Sequence, residues 1–235
     1  MITEDIHVSD IVRDNPALSR VFEEAGINYC CGGNRPLSEA CRERGLDSKT
    51  LVTVLNSLSG KHAGAPDSAE ENPDALTSRE LVAHIVEEHH GYLRRELPRL
   101  DYLTQKVAAD HGDQDPRLRE IALLFGSLVA DLLAHQEAEE RKVFPALVES
   151  DGLGEGETGI GSVLESLMEE HAGVAEALTR LRELTDDYTP AEWACNTTRA
   201  MVHGLRELEA DLHRHIHKEN NVLFLRYLKP TTARP

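Results

Sequence analysis

The chain has 235 residues, 40% of them hydrophobic but only 4% aromatic, and it carries a formal net charge of −17. This composition favours packed helices over a β-sandwich. The acidity argues against nucleic acid as a partner, because phosphate binding needs a basic protein face.

The start of the chain and its cysteines bear on the cellular compartment. The first ten residues, MITEDIHVSD, lack the basic and apolar regions of a signal peptide. No apolar run approaches the ~20 residues of a membrane span. The four cysteines, two of them adjacent, do not resemble a secreted disulfide framework. We therefore expect a cytoplasmic protein that does not enter a membrane.

Residues 1–59 are predicted to form a small helical domain. Apolar positions between Ile11 and Phe22 are spaced as in an amphipathic helix, which Gly26 ends. A flexible loop, NYCCGGNRP, follows. Residues 60–76 mix Gly, Pro, Ser and acidic residues without periodicity, which indicates a linker. Two shorter helices are predicted between the loop and the linker, at residues 37–44 and 51–58.

Four long helices are predicted to follow, within a domain of residues 77–230. Thr77 and Glu80 have the spacing of a capping box, and Asp115 followed by Pro116 fits the start of a second helix. Ser162 with Glu165 is another possible capping box, and Thr189-Pro190-Ala191-Glu192 combines both signals at the fourth start. Apolar residues recur at three- and four-residue spacing. These features predict an all-α, antiparallel, up-down-up-down four-helix bundle, with helices at residues 78–109, 116–149, 162–185 and 190–228.

The second half of the predicted bundle repeats the first. HGYLRRELPRL, from His90, matches HAGVAEALTRL, from His171, at the histidine and at three apolar positions. HQEAEERKVF, from His135, matches HIHKENNVLF, from His215, at the histidine, the glutamate and the phenylalanine. A duplicated helical pair related by pseudo-twofold symmetry would bring two equivalent sets of side chains together at the centre.

Each half contains the pattern HxxxE, His135 with Glu139 and His215 with Glu219. Residues four apart lie on one helix face, one turn apart. A single such pair is usually an ordinary contact on a solvated helix face. Two pairs in register, each with an upstream histidine, instead indicate a two-metal site inside the bundle. The predicted ligands are four imidazoles and two carboxylates: His90, His135, Glu139, His171, His215 and Glu219.

The repeat also selects among neighbouring histidines. His89 and His90 point about 100° apart on a helix, and the match to His171 selects His90. Residues two apart lie on nearly opposite faces, so the neighbours of His215 cannot converge with it. The other histidines of the helices are expected to be ordinary surface or core residues, namely His84, His111, His203, His213 and His217.

Imidazole and carboxylate ligands without thiolate suit non-haem iron or manganese, with zinc or copper as alternatives. Six side chains cannot saturate two octahedral ions. If each carboxylate bridges both ions, together with an oxo or hydroxo bridge, open or labile positions remain. The predicted centre is therefore one whose metals react or leave.

With this pattern the chain resembles the hemerythrin-like superfamily, and more closely the RIC (repair of iron centres) proteins, which are di-iron proteins of nitrosative and oxidative stress. The N-terminal hallmark is INYCCGG, and the bundle hallmarks are HHGYLRRELPRL, HQEAEERKVFP, LMEEHAGV and HIHKENNVLF. The resemblance implies a hemerythrin-like bundle with two iron ions per chain. It also implies that the same six residues bind the iron, and that Glu139 and Glu219 bridge it.

The sequence departs from the oxygen-carrying hemerythrins at one ligand. Those proteins resemble this bundle but supply a fifth histidine through HxxxH in the third helix, where this chain has Ala175 four residues after His171. A missing ligand leaves the iron less saturated and more labile. This favours reaction with small diatomics, or release of iron, over reversible oxygen carriage.

Cys30 and Cys31 are candidate functional thiols. Paired thiolates are soft ligands for iron or iron–sulfur clusters, and they can be redox active. Given the resemblance, our hypothesis is that their loop docks near the di-iron site or a client protein and helps to move iron or nitric oxide. Cys41 and Cys195 are expected to be buried, small apolar residues.

Two acids near the predicted ligands are candidates for a path for metal or protons. Asp131 precedes His135 by one turn, and Glu170 directly precedes His171. Exposed acids are common in this chain, so the alternative is that both are ordinary surface residues.

The resemblance implies three readings of function. The leading one is repair of iron–sulfur clusters by donation of iron, with damaged iron–sulfur proteins as clients. The first rival is a nitric oxide reductase that couples two nitric oxide molecules into nitrous oxide at the same site. The second rival is a hemerythrin-like oxygen or redox sensor. Because ligand identity fixes the metal core but not the fate of the metal, the sequence leaves all three open, together with monomer or dimer.

Overall fold

The computed structural model describes residues 1–59, 73–150 and 160–228, and it contains α-helices but no β-strand within them. This confirms the all-α fold class. The first five helices are α1 Val8–Asp14, α2 Ser19–Glu24, α3 Leu37–Glu43, α4 Ser48–Ser59 and α5 Ser78–His84. The other five are α6 Gly91–His111, α7 Arg117–Ala138, α8 Phe144–Glu149, α9 Gly161–Leu184 and α10 Asn196–Lys218.

The chain divides into two compact units. The first unit comprises Met1–His84, Ser150–Leu164 and His213–Pro235, and the second comprises Ile85–Glu149 and Glu165–Leu212. The predicted domains at residues 1–59 and 77–230 remain a prediction. Of the predicted linker, residues 60–72 lie outside the described residues, and Pro73–Ala75 forms a 3₁₀-helix.

The first unit has an apolar core built by its N-terminal helices. Val8, Ile11, Phe22, Tyr29 and Leu37 are among its fully or almost fully buried members. The single amphipathic helix predicted between residues 11 and 22 is wrong. Proline lacks a backbone N–H and disfavours helical geometry in the residue before it. Pro16 therefore separates α1 from a 3₁₀-turn that leads into α2.

The second unit contains an antiparallel arrangement of helices. His90, at the start of α6, contacts Glu140, just beyond the end of α7. His135, late in α7, contacts Glu170, early in α9. His111, at the end of α6, contacts Cys195, just before α10. These contacts agree with the predicted up-down-up-down order of the helices. The core includes Leu93, Leu97, Leu100, Ile121, Phe125, Leu128, Leu178, Leu181, Leu205 and Leu208.

Two of the predicted helix starts are confirmed. The backbone N–H of Thr77 donates to Glu80 Oε2 (2.9 Å), and that of Glu80 donates to Thr77 Oγ1 (3.2 Å), which makes a capping box. Asp115 Oδ1 accepts from the backbone N–H of Arg117 (3.1 Å), at the start of α7. Both caps satisfy backbone donors that the first helical turn leaves without an intrahelical acceptor.

The other two predicted starts are displaced. Helix α9 begins at Gly161, so Ser162 lies inside it. The fourth helix begins at Asn196 and not near residue 190. Residues Asp186, Asp187 and Tyr188 have positive φ angles and turn the chain after α9. The sulfur of Cys195 then accepts a backbone hydrogen bond from Thr198 in the first turn of α10, so Cys195 supplies the cap that Thr189 was predicted to supply.

Three π-helical segments interrupt the long helices, at Ile85–His90, Glu139–Val143 and Glu219–Leu223. The first ends at a predicted ligand, and the other two begin at one. A π-helical turn holds an extra residue and occurs most often at functional sites. No helix of the described residues is long and apolar enough to cross a membrane.

Candidate metal centre

The predicted ligands of the first repeat (His90, His135 and Glu139) lie together in the second unit. Glu139 is fully buried, and so is His90. One carboxylate oxygen of Glu139 is 3.2 Å from His135 Nε2, and the other is 3.4 Å from His90 Nε2. The two oxygens of one carboxylate therefore face two different imidazoles, which is the arrangement that a carboxylate bridging two ions requires.

Two further carboxylates fix the tautomers of these imidazoles. Glu140 Oε1 lies 2.7 Å from His90 Nδ1, and Glu170 Oε2 lies 2.7 Å from His135 Nδ1. An ionised carboxylate can only accept a hydrogen bond, so each Nδ1 carries the proton. In the neutral ring this leaves the lone pair on Nε2, on the side of Glu139. This support is typical of metal-binding histidines.

Glu140 is held in this role by a second donor. Arg94 Nη1 donates to the same oxygen, Glu140 Oε1, at 2.6 Å. Burial opposes ionisation of Glu140, but the hydrogen bonds from His90 and Arg94 outweigh it and lower the pKa of the carboxyl below its ordinary value. Glu140 is therefore an anion at neutral pH.

His171 completes the group in the second unit. Its Nε2 lies 2.9 Å from His135 Nε2, and the donor atoms of His135, Glu139 and His171 all lie within 4.8 Å of one another. Two nitrogens bound to one ion at about 2.1 Å and at a right angle would be about 3.0 Å apart. The spacing and the chemistry of these donors thus fit a common metal ion.

The ligand pair of the second repeat lies in the first unit. His215 Nε2 is 2.9 Å from Glu219 Oε1, across one turn of helix. Glu219 is fully buried and His215 is 2% exposed. Glu219 opens a π-helical segment of five residues, as Glu139 does in the first repeat. Metal binding by all six residues remains a prediction.

The remaining candidates fall into different settings. His89 is buried, and its Nδ1 lies 2.9 Å from Asp211 Oδ1, so it has a separate partner from His90. Glu170 is half-exposed and contacts His135. Asp131 is exposed. A path for metal or protons along Asp131 or Glu170 stays a prediction.

The loop with the paired thiols is organised by the side chain of Asn28. Asn28 Oδ1 accepts from the backbone N–H groups of Cys30 (3.1 Å), Cys31 (3.1 Å) and Gly32 (3.3 Å). A Cβ at Gly33 would overlap the carbonyl oxygen of Tyr29, so only glycine fits there. The INYCCGG motif is thus a compact turn that fixes both thiols.

Cys30 and Cys31 are thiols and not a disulfide, and their sulfurs lie 3.7 Å apart. Burial, together with the neighbouring Cys31, raises the pKa of the Cys30 thiol well above its ordinary value. Asn221 Nδ2 donates to the carbonyl oxygen of Cys30 (3.0 Å), and Asn220 Nδ2 lies 3.9 Å from Cys31 Sγ. The loop therefore contacts the residues that directly follow Glu219.

Cys195 is not the buried apolar residue that the sequence analysis expected. It is partly exposed, and its sulfur lies 3.4 Å from Thr198 Oγ1 and 3.5 Å from His111 Nε2. Hydrogen bonds from Thr198 and then from His111 lower the pKa of the thiol to about 6. Cys41, by contrast, is fully buried as expected.

The sequence analysis missed two pairs of supporting residues. The predicted ligand His90 is supported by Arg94 and Glu140, and the loop with the paired thiols is held by Asn28 and Asn221. All four act through contacts that form on folding, and each looks like an ordinary polar residue in the sequence. The signal available for Glu140 was its place one residue beyond HxxxE, where the second repeat has Asn220.

Comparison with known sequences adds an independent finding. The model of the Hemerythrin HHE cation binding domain matches residues 81–227. That of a Domain of Unknown function (DUF542) matches residues 4–59. The chain is 33% identical to the iron-sulfur cluster repair protein ScdA of Staphylococcus haemolyticus, over 97% of this chain and 100% of that protein. It is 34% identical to the iron-sulfur cluster repair protein YtfE of Yersinia pseudotuberculosis, over 91% of this chain and 92% of that protein.

Proposed function

This chain belongs to the family of iron-sulfur cluster repair proteins, with a hemerythrin HHE domain, and on that premise we propose that it repairs damaged clusters by returning iron from a buried two-iron centre. Proteins with damaged iron–sulfur clusters are then its clients. The observation that carries the proposal is Glu139, whose two oxygens each face a different imidazole.

The proposed ligand set joins both repeats: His90, His135, Glu139, His171, His215 and Glu219. Two observations support the second repeat as the partner of the first. Both HxxxE pairs lie at the end of a long helix, and in both the glutamate begins a five-residue π-helical segment. Both glutamates are fully buried, which is costly for a carboxylate unless a cation or other partner compensates it.

The protein's own residues hold the proposed centre ready. Glu140 and Glu170 keep the protons of His90 and His135 on Nδ1, so that each Nε2 lone pair is available. Burial of Glu139 excludes water from the carboxylate and strengthens its attraction for cations. Bound ferrous ions would supply open positions for small diatomics and iron that can be given up.

The route by which iron leaves is proposed to pass His135. Among the four candidate ligands of the second unit, His135 has the largest exposed fraction, at 8%. Glu170 lies beside it with a side chain that is 54% exposed, so this carboxylate links a buried imidazole to solvent. Ala175 lies one turn beyond His171, where a fifth histidine would otherwise close the set.

The experiment is anaerobic and follows iron and gas together. The protein is loaded with ferrous iron and, with a reductant present, is exposed to nitric oxide or to an iron-free cluster protein supplied with inorganic sulfide. Iron retention and nitrous oxide are both measured. Transfer of iron to the cluster protein, with restored cluster absorption, is the expected result. A variant with Glu137→Gln, an exposed residue of α7 that pairs with Arg141, is the matched control.

The rival functions predict different outcomes of that experiment. A nitric oxide reductase would make nitrous oxide over many turnovers while retaining its iron. An oxygen or redox sensor would form a stable, reversible adduct and transfer no iron. Either outcome would contradict the proposal that the protein donates iron. Neither would contradict the proposed set of six ligands.

A further inference from the structure

The first unit contains a cavity that is separate from the six proposed ligands. Its volume is about 380 Å³, and residues of α1, α2, the Cys30 loop and the last turns of α10 line it. Small-molecule sites are typically about 300–1,000 Å³. No member of the proposed ligand set is among the lining residues. The cavity therefore has the size of a ligand site and lies outside the proposed metal centre.

Three basic side chains line this cavity: Arg20, Arg214 and Lys218. Arg214 and Lys218 are four residues apart on α10 and so share one helix face. Lys218 is 5% exposed, and its Nζ lies 2.7 Å from His84 Nε2. Arg214 Nη1 lies 3.4 Å from Glu23 Oε1. In a chain with a net charge of −17, such a concentration of cations in one cavity indicates affinity for anions.

Apart from Ser19 and His217, the rest of the wall is formed by residues with largely apolar side chains. Val12, Pro16, Tyr29 and Pro73 contribute to it, and Tyr29 is fully buried. An inorganic ion would use only the basic side chains, whereas a carbon skeleton would also contact this apolar wall. Three cations from two helices suit a ligand with more than one negative group.

We propose that this cavity binds a small organic polyanion that carries at least two carboxylate or phosphate groups. Arg20 and Arg214 bind its negative groups through charge-assisted hydrogen bonds, and Lys218 adds an ammonium charge. Tyr29 directly precedes Cys30, and Lys218 directly precedes Glu219. A ligand in the cavity thus contacts the neighbours of the thiol pair and of a proposed iron ligand.

The test measures binding to the full-length, iron-free protein by isothermal titration calorimetry at low ionic strength. The probes are citrate, fructose 1,6-bisphosphate and acetate, which separate several carboxylates, two phosphates and a single charge. We expect citrate or fructose 1,6-bisphosphate to bind and acetate to bind at least tenfold more weakly. Preference for citrate identifies carboxylate groups, and preference for fructose 1,6-bisphosphate identifies phosphate groups.

Variants locate the binding in the cavity. Arg20 is exposed, so Arg20→Gln preserves the fold, and it should weaken binding at least tenfold. Ala17 is an exposed lining residue, and Ala17→Glu should abolish binding because it adds a negative charge at the wall. Arg44→Gln removes the same charge from an exposed residue of the same unit outside the cavity, and it should leave affinity within twofold. Absence of binding by both polyanions, or equal weakening by Arg20→Gln and Arg44→Gln, would overturn the proposal. The iron-free protein is used, so failure here leaves the cluster-repair proposal untouched.

Discussion

The two repeats share the pattern of their proposed ligands but differ in the residues that surround them. Each has an HxxxE pair at the end of a long helix, and the glutamate of the pair begins a five-residue π-helical segment. Directly after this glutamate the first repeat has Glu140, which contacts His90 and Arg94. The second repeat has Asn220, close to Cys31, followed by Asn221, which donates to the carbonyl of Cys30.

If the proposed centre is correct, this difference suits the two repeats to two tasks. The extra carboxylate of the first repeat would hold an imidazole in the tautomer that a metal requires. The second repeat uses amides at matching positions to hold the loop with the paired thiols. A carboxylate at position 220 would oppose ionisation of Cys31 by like-charge repulsion. The sequence of each repeat thus suits one task, metal support or thiol docking.

The largest expected effect tests whether the two repeats contribute equally to the centre. Glu139→Gln and Glu219→Gln each remove a proposed bridging carboxylate, so iron content should fall from about two ions per chain to below one. Iron is counted colorimetrically after anaerobic loading and desalting. Glu137→Gln is the control and should keep full iron. Normal iron content in Glu219→Gln alone would show that only the first repeat binds metal.

The next effect separates the thiols from metal binding. Replacing Cys30 and Cys31 together with Ser should reduce cluster repair at least tenfold while iron content stays unchanged. Repair is followed as recovered activity of a nitric oxide-damaged iron–sulfur enzyme. Cys41→Ser, a buried thiol of the same unit, is the control for loss of a cysteine. Undiminished repair by the double variant would remove the thiols from the mechanism.

Exchanging the residues that differ between the repeats sharpens the comparison. Glu140→Gln removes the carboxylate that accepts from His90, and loss of such support typically lowers metal affinity 10–100-fold. Asn220→Asp places a carboxylate in the second repeat instead, and iron affinity should stay within about twofold. Anaerobic competition with a ferrous chelator measures both affinities. Equal affinity in Glu140→Gln and the parent protein would contradict the proposed tautomer support.

The smallest expected effect is the pH dependence of thiol reactivity, which we compare between Cys30 in the loop and Cys195 outside it. A thiol whose pKa is lowered to about 6 is mostly thiolate above that pH and loses reactivity as the pH falls through it. Cys195 should therefore react with iodoacetamide at pH 7, whereas Cys30, whose pKa is raised by burial, should not.

Peptide mass spectrometry across pH 5–9 gives the alkylation profile of each cysteine. Thr198→Val removes the hydroxyl, which contributes most to the lowered pKa of Cys195. Its reaction midpoint should shift upward by about one pH unit, while the profile of Cys30 stays the same. A midpoint near 9 in the parent protein would contradict the contacts of Cys195 with Thr198 and His111.

The sequence predicted what depends on periodicity and repetition. The helical class and the two confirmed caps follow from spacing along one helix. The choice of His90 over His89 rests on the repeat and stays a prediction. The fourth helix start was misplaced, because Thr189-Pro190 has a local capping signal, whereas Cys195 supplies the cap through contacts in the folded chain. Local signals compete, and the sequence alone does not say which one folding selects.

The contacts of Glu140 and Glu170 with the predicted ligands could not be predicted, because they also form only in the folded chain. Glu170 and His135 are 35 residues apart, and Glu140 and His90 are 50 apart. Their contacts depend on the rotation and register of neighbouring helices. The π-helical segments shift that register by a fraction of a turn, and no residue type specifies them. The proposed ligands could be selected from the sequence because their pattern occurs in both repeats. The residues that contact them could not, because each of these occurs only once.

The central claim is a two-iron centre built by both repeats, and an anaerobic titration of the iron-free protein with ferrous iron tests it most directly. Bound and free iron are separated after each addition, and the bound iron per chain is plotted. The account predicts saturation at two ferrous ions per chain, with both sites weakened by Glu139→Gln. Saturation at one ion, or no saturable binding, would contradict it.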